Sequence, residues 1–234
     1  MRIISQFYRN SGRWQVRILA AALSLGLAGP GLAFQQEHPV SGRVIAPVMG
    51  AAGADWLERP ERAAEEHPDE ALDALHLKPG MTVADVGAGT GYMTLRMARR
   101  VGPGGKVYAV DIQPEMLRLL RANAARANLT NIQPVLGDDT DPKLPRGQID
   151  LILLVDVYHE LSHPQEMVRH FYDALAPDGR LVLVEYRKED PSVPIKPLHK
   201  MSVQQVKLEL ETQGFHLRKV DERLPWQHIL ILTK

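Results

Sequence analysis

"VADVGAGTGYMTLRMA", residues 83–98, passes from an apolar strand through a glycine-rich turn into a helix. Its glycines, Gly87, Gly89 and Gly91, follow G-x-G-x-G, whereas the dinucleotide fingerprint is G-x-G-x-x-G. In that fingerprint the middle glycine admits the pyrophosphate and the third lets helix pack on strand. Here the third glycine arrives one residue early, and Asp85 precedes the turn. A strand–turn–helix junction of this kind presents backbone N–H groups and the positive end of a helix dipole to a ligand. A carboxylate at Asp85 repels a pyrophosphate but accepts a hydrogen bond from an ammonium group. The ligand implied carries a nucleoside and a cationic, amino-acid-like end.

Outward from this turn the chain alternates strands and helices. Strands are expected at 82–86, 106–111, 132–138, 149–157 and 180–187, with helices at 94–101, 114–128 and 164–176 between them. The segment "IDLILLVDV" (149–157) is apolar on both faces, as a central parallel strand must be. Regular β-α-β alternation gives an α/β fold, a doubly wound parallel sheet with helices on both faces. The tail departs from that rhythm. Ser202 and Gln205 have capping-box spacing and open a helix ending near Gly214. "FHLRKVDERL" and "WQHILILT" follow with only Pro225 between them, a link that permits an antiparallel hairpin and not a crossover.

Asp111 closes the second strand, 20 residues after Gly91, where an acid can hold two ribose hydroxyls. "GDDT" (137–140) closes the third, with Asp138 and Asp139 placed to accept from an adenine amino group. Three strand ends therefore line one crevice at the carboxyl edge, where open α/β sheets bind their ligands.

Taken in order, "DVGAGTG" (85–91), Asp111, Gly137-Asp138, the strand "DLILLVDV" and "LAPDGRLVLVE" resemble the class I S-adenosylmethionine-dependent methyltransferases. The resemblance covers about residues 68–234 and implies a Rossmann-like seven-stranded sheet, mostly parallel with an antiparallel last strand. It implies S-adenosylmethionine as the cofactor, its methionine end wrapped by Asp85, Gly87, Ala88, Gly89 and Gly91. Asp111 is implied at the ribose and Asp138 and Asp139 at the adenine, and Ile112 and Asp156 complete the expected cofactor set. The remaining alternatives are a non-catalytic nucleoside-binding module and, disfavoured by the glycine spacing, a nicotinamide oxidoreductase.

On the acceptor side, "DVYHELSHPQE" (156–166) is similar to the V-L-H-H-L-x-D-P stretch of small-molecule methyltransferases. His159 matches the first histidine of that stretch, Glu160 replaces the second, and His163 replaces the acid before proline. His159 and Glu160 are the expected catalytic residues. A base here is worth about 10²–10⁴ in rate where deprotonation is needed, although both can equally order the loop. His163 is expected to cap the helix at Pro164. "PIKPLHKMS" (194–202), with His199 and Lys200, and "WLERPER" (56–62), with Trp56 and Arg59, are segments able to close over a pocket. The remaining histidines, His38, His67, His76, His170, His216 and His228, show no metal-ligand spacing, and no metal is assigned.

The 234 residues, 44% hydrophobic and 24% charged, suit one domain with a substantial core. Residues 1–33 read as a secretory signal peptide. Arg2, Arg9, Arg13 and Arg17 precede an apolar run too short for the ~20 residues of a span, and Gly31-Leu32-Ala33 offers a cleavage site before Phe34. Residues 34–67 read as an N-terminal arm with a short helix, and 68–234 as the binding domain. An exported, periplasmic protein follows, or one tethered by an uncleaved segment. Removing 1–33 takes four of the 28 basic side chains and none of the 28 acidic ones, leaving a net charge near −4. Such a chain lacks the basic face of a nucleic-acid binder, keeps no membrane span, and suits a small-molecule substrate. The absence of cysteine excludes disulfides, thiolate metal sites and cysteine nucleophiles.

Overall fold

A computed structural model describes residues 36–234, so the signal segment expected at 1–33 lies outside the described residues. Eight strands of the described residues form one sheet: β1 (Thr82–Val86), β2 (Lys106–Asp111), β3 (Ile132–Leu136), β4 (Ile149–Val155), β5 (Leu175–Arg187), β6 (Lys200–Met201), β7 (His216–Asp221) and β8 (Gln227–Thr233). Their order is β3-β2-β1-β4-β5-β8-β7, with β6 beside β5. The pairs among β1 to β5 are parallel, and β8 runs antiparallel to both β5 and β7. Seven strands make the expected sheet. The eighth is a two-residue addition, Tyr186 and Arg187 pairing with Lys200 and Met201 where the loop after β5 folds back.

Among the described residues seven α-helices accompany the sheet: α1 (Ala54–Leu57), α2 (Arg62–Glu66), α3 (Pro68–Ala74), α4 (Tyr92–Val101), α5 (Pro114–Arg126), α6 (Pro164–Ala174) and α7 (Val203–Glu211). Proline opens α3, α5 and α6, where its missing N–H costs nothing. Ser202 caps α7, and both hydrogen bonds of the capping box with Gln205 form. One boundary moved. Helix α6 stops at Ala174 because Leu175 pairs with Ile149, so Pro177-Asp178-Gly179 lies in the irregular start of β5 beside a register shift.

The two-residue period of the strands sorts the core into two layers. Val83, Leu151, Leu153 and Val182 face Leu72 of α3 and Met97 of α4. Ala84, Ile152, Leu154 and Leu183 face Phe171 of α6 and Leu210 of α7. Ala109, on the same face of β2 as Val107, packs with Leu120 of α5. The sheet is doubly wound, and its order reverses between β1 and β4.

The arm expected at 34–67 is fastened to this body. Residues Glu37 and Val44 bridge. Buried Arg43 places Nε 2.8 Å from Oε1 of Glu209 on α7 and donates from Nη1 to the His159 carbonyl at 3.0 Å. Among the described residues, no helix is long and apolar enough to cross a membrane.

Candidate active site

The carboxyl ends of β1, β2 and β4 open into a cavity of about 670 Å³, within the ~300–1,000 Å³ usual for small-molecule sites. It sits at the β1/β4 reversal, where doubly wound sheets bind ligands. Asp85, Gly87, Ala88, Gly89, Asp111, Ile112, Asp138, Asp139, Asp156, His159 and Glu160 all line it. Gly91 does not. It caps the start of α4 at φ 95°, and a Cβ there would lie 2.6 Å from Leu95 and 3.1 Å from Leu120. The absence of a Cβ lets α4 start against Leu95 and Leu120.

The turn also corrects the expectation of free backbone donors. The N–H groups of Gly87 and Ala88 both donate to the Val110 carbonyl at 2.9 Å. Gly89 donates to Oδ2 of Asp111 at 2.8 Å, and Gly91 to the Ala88 carbonyl. With these donors engaged, the turn offers a shaped wall and not a phosphate cradle. Gly87 holds that wall at φ 74°, and a Cβ there would fall 2.4 Å from Cγ2 of Val157.

Three carboxylates surround the turn. Asp85, at the end of β1, accepts from Thr94 Oγ1 at 2.5 Å, and burial pushes its pKa up to about 6. Asp111, at the end of β2, accepts from Gly89 and from the Gln113 N–H at 2.9 Å, and burial raises it too. Asp156 follows β4 in a left-handed conformation, φ 54°, uncommon outside glycine. Its Oδ2 accepts from Gln227 Nε2 at 2.7 Å, while Oδ1 is buried without a partner among the described residues. Burial, reinforced by the nearby Glu66 and Glu185, raises Asp156 well above the usual carboxylate range. An unpaired buried acceptor is costly, and one facing a cavity suits a donor or a positive charge from a ligand.

Farther out, Asp138 braces its own loop. Its Oδ1 accepts from Thr140 and from the Asp141 N–H, which holds its carboxyl below the ordinary range. Asp139 is exposed, 3.5 Å from Nδ1 of His163. His163 takes the N-cap position of α6 as expected, its carbonyl accepting from the Met167 N–H at 3.1 Å, while its side chain makes no cap hydrogen bond. Ile112 gives the cavity an apolar edge, 41% exposed.

Across the cavity, a short turn after β4 (Tyr158–Glu160) carries His159 and Glu160. His159 is buried, its Nδ1 2.6 Å from Oε2 of Glu185 on β5 and its Nε2 3.0 Å from Nδ1 of His199. Burial pushes the Glu160 carboxyl up to about 7 and His199 below its ordinary value. His199 arrives on the 194–202 segment, whose Pro194, Ile195 and Lys196 also line the cavity. Lys200 instead donates to the Val193 carbonyl at 2.7 Å and braces that loop from within. The 56–62 segment does reach the cavity: Trp56 and Arg59 line it, the guanidinium 3.9 Å from the centre of the indole.

Glu185, Gln227 and Arg43 escaped the sequence reading. Glu185 had a signal, a lone acid inside "LVLVEYR", because a carboxylate amid buried Val and Leu requires a partner. Arg43 and Gln227 had none, since their partners are remote in sequence.

Seven acidic side chains line the cavity against Arg59, Arg62 and Lys196. Such a lining favours a ligand with positive charge and opposes a pyrophosphate.

Comparison with known proteins agrees with this geometry. A family profile described as a methyltransferase domain matches residues 77–227. The chain is 35% identical over 112 residues to nocamycin O-methyltransferase of Saccharothrix syringae, covering 48% of this chain and 40% of that protein. It is 35% identical over 111 residues to a protein-L-isoaspartate O-methyltransferase of Methanothrix thermoacetophila, covering 47% of this chain and 50% of that one. Among solved structures, a SAM-dependent methyltransferase from Aquifex aeolicus superimposes with a TM-score of 0.75 at 28% identity, over 79% of this chain and 98% of that one. The match thus spans half or less of the two relatives named first.

Proposed function

The chain belongs to the methyltransferase-domain family, and from that premise we propose that it transfers the methyl group of S-adenosylmethionine to a small-molecule acceptor. One observation carries the reading: Asp85, Asp111 and Asp156 stand on adjacent strand ends around a turn in which the N–H groups of Gly87, Ala88, Gly89 and Gly91 are already engaged. That arrangement suits a nucleoside with a cationic amino-acid end. The orphaned Oδ1 of Asp156 is the polar atom such a ligand would satisfy.

In this reading Asp111 takes the ribose hydroxyls with the lone pairs its two backbone partners leave. Asp85 accepts from the ammonium group, and the wall from Gly87 to Gly89 shapes the methionine end. Ile112 borders the adenine, with Asp138 and Asp139 toward its amino edge. Bound S-adenosylmethionine would supply a methyl carbon on a sulfonium, open to displacement by an acceptor lone pair, with the carbon–sulfur pair left on sulfur and the acceptor's proton released. The leaving group is already good, so the protein's contribution is chiefly positioning, which can supply about 7–11 kcal/mol. His159 and Glu160, beyond β4, orient the acceptor or remove its proton.

The basic flank and apolar run of residues 1–33 support export to the periplasm, with the mature chain beginning at Phe34. N-terminal sequencing of the native protein tests that placement.

For the activity, the purified chain is incubated with deuterated-methyl S-adenosylmethionine and a small-molecule extract, and products are read by mass spectrometry. A labelled small molecule formed alongside S-adenosylhomocysteine supports the reading. Cofactor binding with no labelled product from any extract would make the domain a binding module.

A further inference from the structure

The histidine spacing in the sequence assigns no metal, but the fold joins residues that the spacing cannot. His159 and His199 are 40 positions apart, and His159 Nε2 and His199 Nδ1 meet at 3.0 Å. Oε1 of Glu160 stands 3.9 Å from the first and 3.6 Å from the second. Zinc bonds of ~2.0–2.1 Å at tetrahedral angles place donors about 3.3 Å apart. The three distances bracket that value.

We infer that His159, Glu160 and His199 form a binding site for a divalent transition-metal ion, zinc being the first to test, at the acceptor side of the cavity.

Three features carry this. The first is that the three donor atoms converge, within 4.8 Å of one another, from two separate segments. The second is Glu185, wholly buried on β5, with Oε2 2.6 Å from Nδ1 of His159. A carboxylate behind the far nitrogen fixes the tautomer and leaves Nε2 its lone pair, as it does behind metal-bound histidines. The Glu185 Oε1 accepts from the Tyr158 N–H at 2.8 Å, so its own position is fixed. The third is the placement of Glu160. A relay of hydrogen bonds from Glu185 through His159 to His199 would explain the 3.0 Å contact. It makes no use of the Glu160 carboxylate, mostly buried beside both imidazoles and too far to bond either.

Two imidazoles and one carboxylate match the three-ligand sets of catalytic zinc and the facial triads of other divalent metals. All three residues line the cavity, so the ion's remaining position opens toward the acceptor. It suits an acceptor with a hydroxyl or other oxygen donor, whose proton such an ion makes easier to lose. His159 and Glu160 then act on the acceptor through the ion. The same ion would clip the 194–199 loop to the end of β4. Its place beside the methyl donor rests on the function proposed above; its binding does not.

The test is titration of the chelator-stripped full chain with Zn²⁺ against a competing chelator, with Co²⁺ absorption to report the ligand field. One ion per chain is expected, with a tetrahedral Co²⁺ spectrum. His199→Ala and Glu160→Ala should each weaken binding at least 100-fold, and Glu185→Gln 10–100-fold. Far-UV circular dichroism and S-adenosylhomocysteine affinity, measured on each variant, separate loss of the ion site from loss of the fold or of the cofactor site. The inference is overturned if the folded chain takes up neither ion stoichiometrically. It is equally overturned if His199→Ala binds as tightly as the wild type, or if His199 and His159 merely titrate as a relay with no metal response.

Discussion

The backbone N–H of Gly89 donates to the Asp111 carboxylate across 2.8 Å. This bond joins the glycine turn after β1 to the acid that closes β2, so one side chain shapes the turn and faces the cavity. Removing that carboxylate as Asp111→Ala frees a backbone donor and deletes a charged acceptor for a ligand hydroxyl. Hydrogen bonds to charged groups contribute ~1.5–3 kcal/mol each. Affinity for S-adenosylhomocysteine should fall at least tenfold by calorimetry, and an unchanged affinity would remove Asp111 from the ribose.

Asp85 links pH, stability and binding. Its carboxyl is raised to about 6 by burial, against the hydrogen bond from Thr94 and the charge of Arg62 and with the charge of Asp111. The folded chain therefore holds a proton that the unfolded chain has lost between about pH 4 and pH 6. Stability contributed by this group is present at low pH and falls as pH rises through about 6. Asp85→Asn removes the cost of the buried charge. It should stabilise the ligand-free protein at pH 8 by up to about 3 kcal/mol, the gain disappearing near pH 4 in denaturant titrations. Cofactor affinity should move the other way: weaker in Asp85→Asn, and weaker in the wild type below pH 6. A variant less stable at every pH would contradict the sign.

Gly87 is required by its surroundings as well as its backbone. In Gly87→Ala the left-handed φ costs roughly 1–2 kcal/mol, and the new methyl meets Val157 at 2.4 Å. Gly87→Ala should lower the denaturation midpoint. Adding Val157→Ala should recover the steric part and leave the backbone part. Equal midpoints for the single and double variants would mean that Val157 does not press on the turn.

Arg43 ties the arm to the acceptor side. Its partner Glu209 is fully buried and also lies 3.2 Å from His38 Nε2. Removing one member of a buried pair leaves an uncompensated charge, typically about 3–5 kcal/mol. Arg43→Met should cost that much in urea, and Arg43→Met with Glu209→Leu should cost clearly less. Additive losses would show that the two side chains are not coupled.

The sheet was legible because its information is local: apolar runs of strand length, glycine and proline punctuation, and Ser202 with Gln205 at capping distance. Asp85, Asp111 and Asp156 were legible for the same reason, each at a strand end whose position the alternation sets. What the sequence withheld is pairing at long range. Nothing in "LVLVEYR" says that Glu185 will meet His159, and nothing in "PIKPLHKMS" says that His199 will meet it from the other side. Gly91 has a long-range task of the same kind. Its motif position suggests a ligand contact, and the packing of Leu95 and Leu120 adds a requirement that the motif does not show.

The acidic lining suits the cavity at the β1/β4 reversal to a cationic nucleoside and not to a pyrophosphate. Calorimetric titration of the wild-type chain with S-adenosylhomocysteine and, separately, with NAD tests it most directly. Saturable one-to-one binding of S-adenosylhomocysteine with no detectable heat from NAD is the predicted result. Binding of NAD as tight as that of S-adenosylhomocysteine, or of NAD alone, would contradict it.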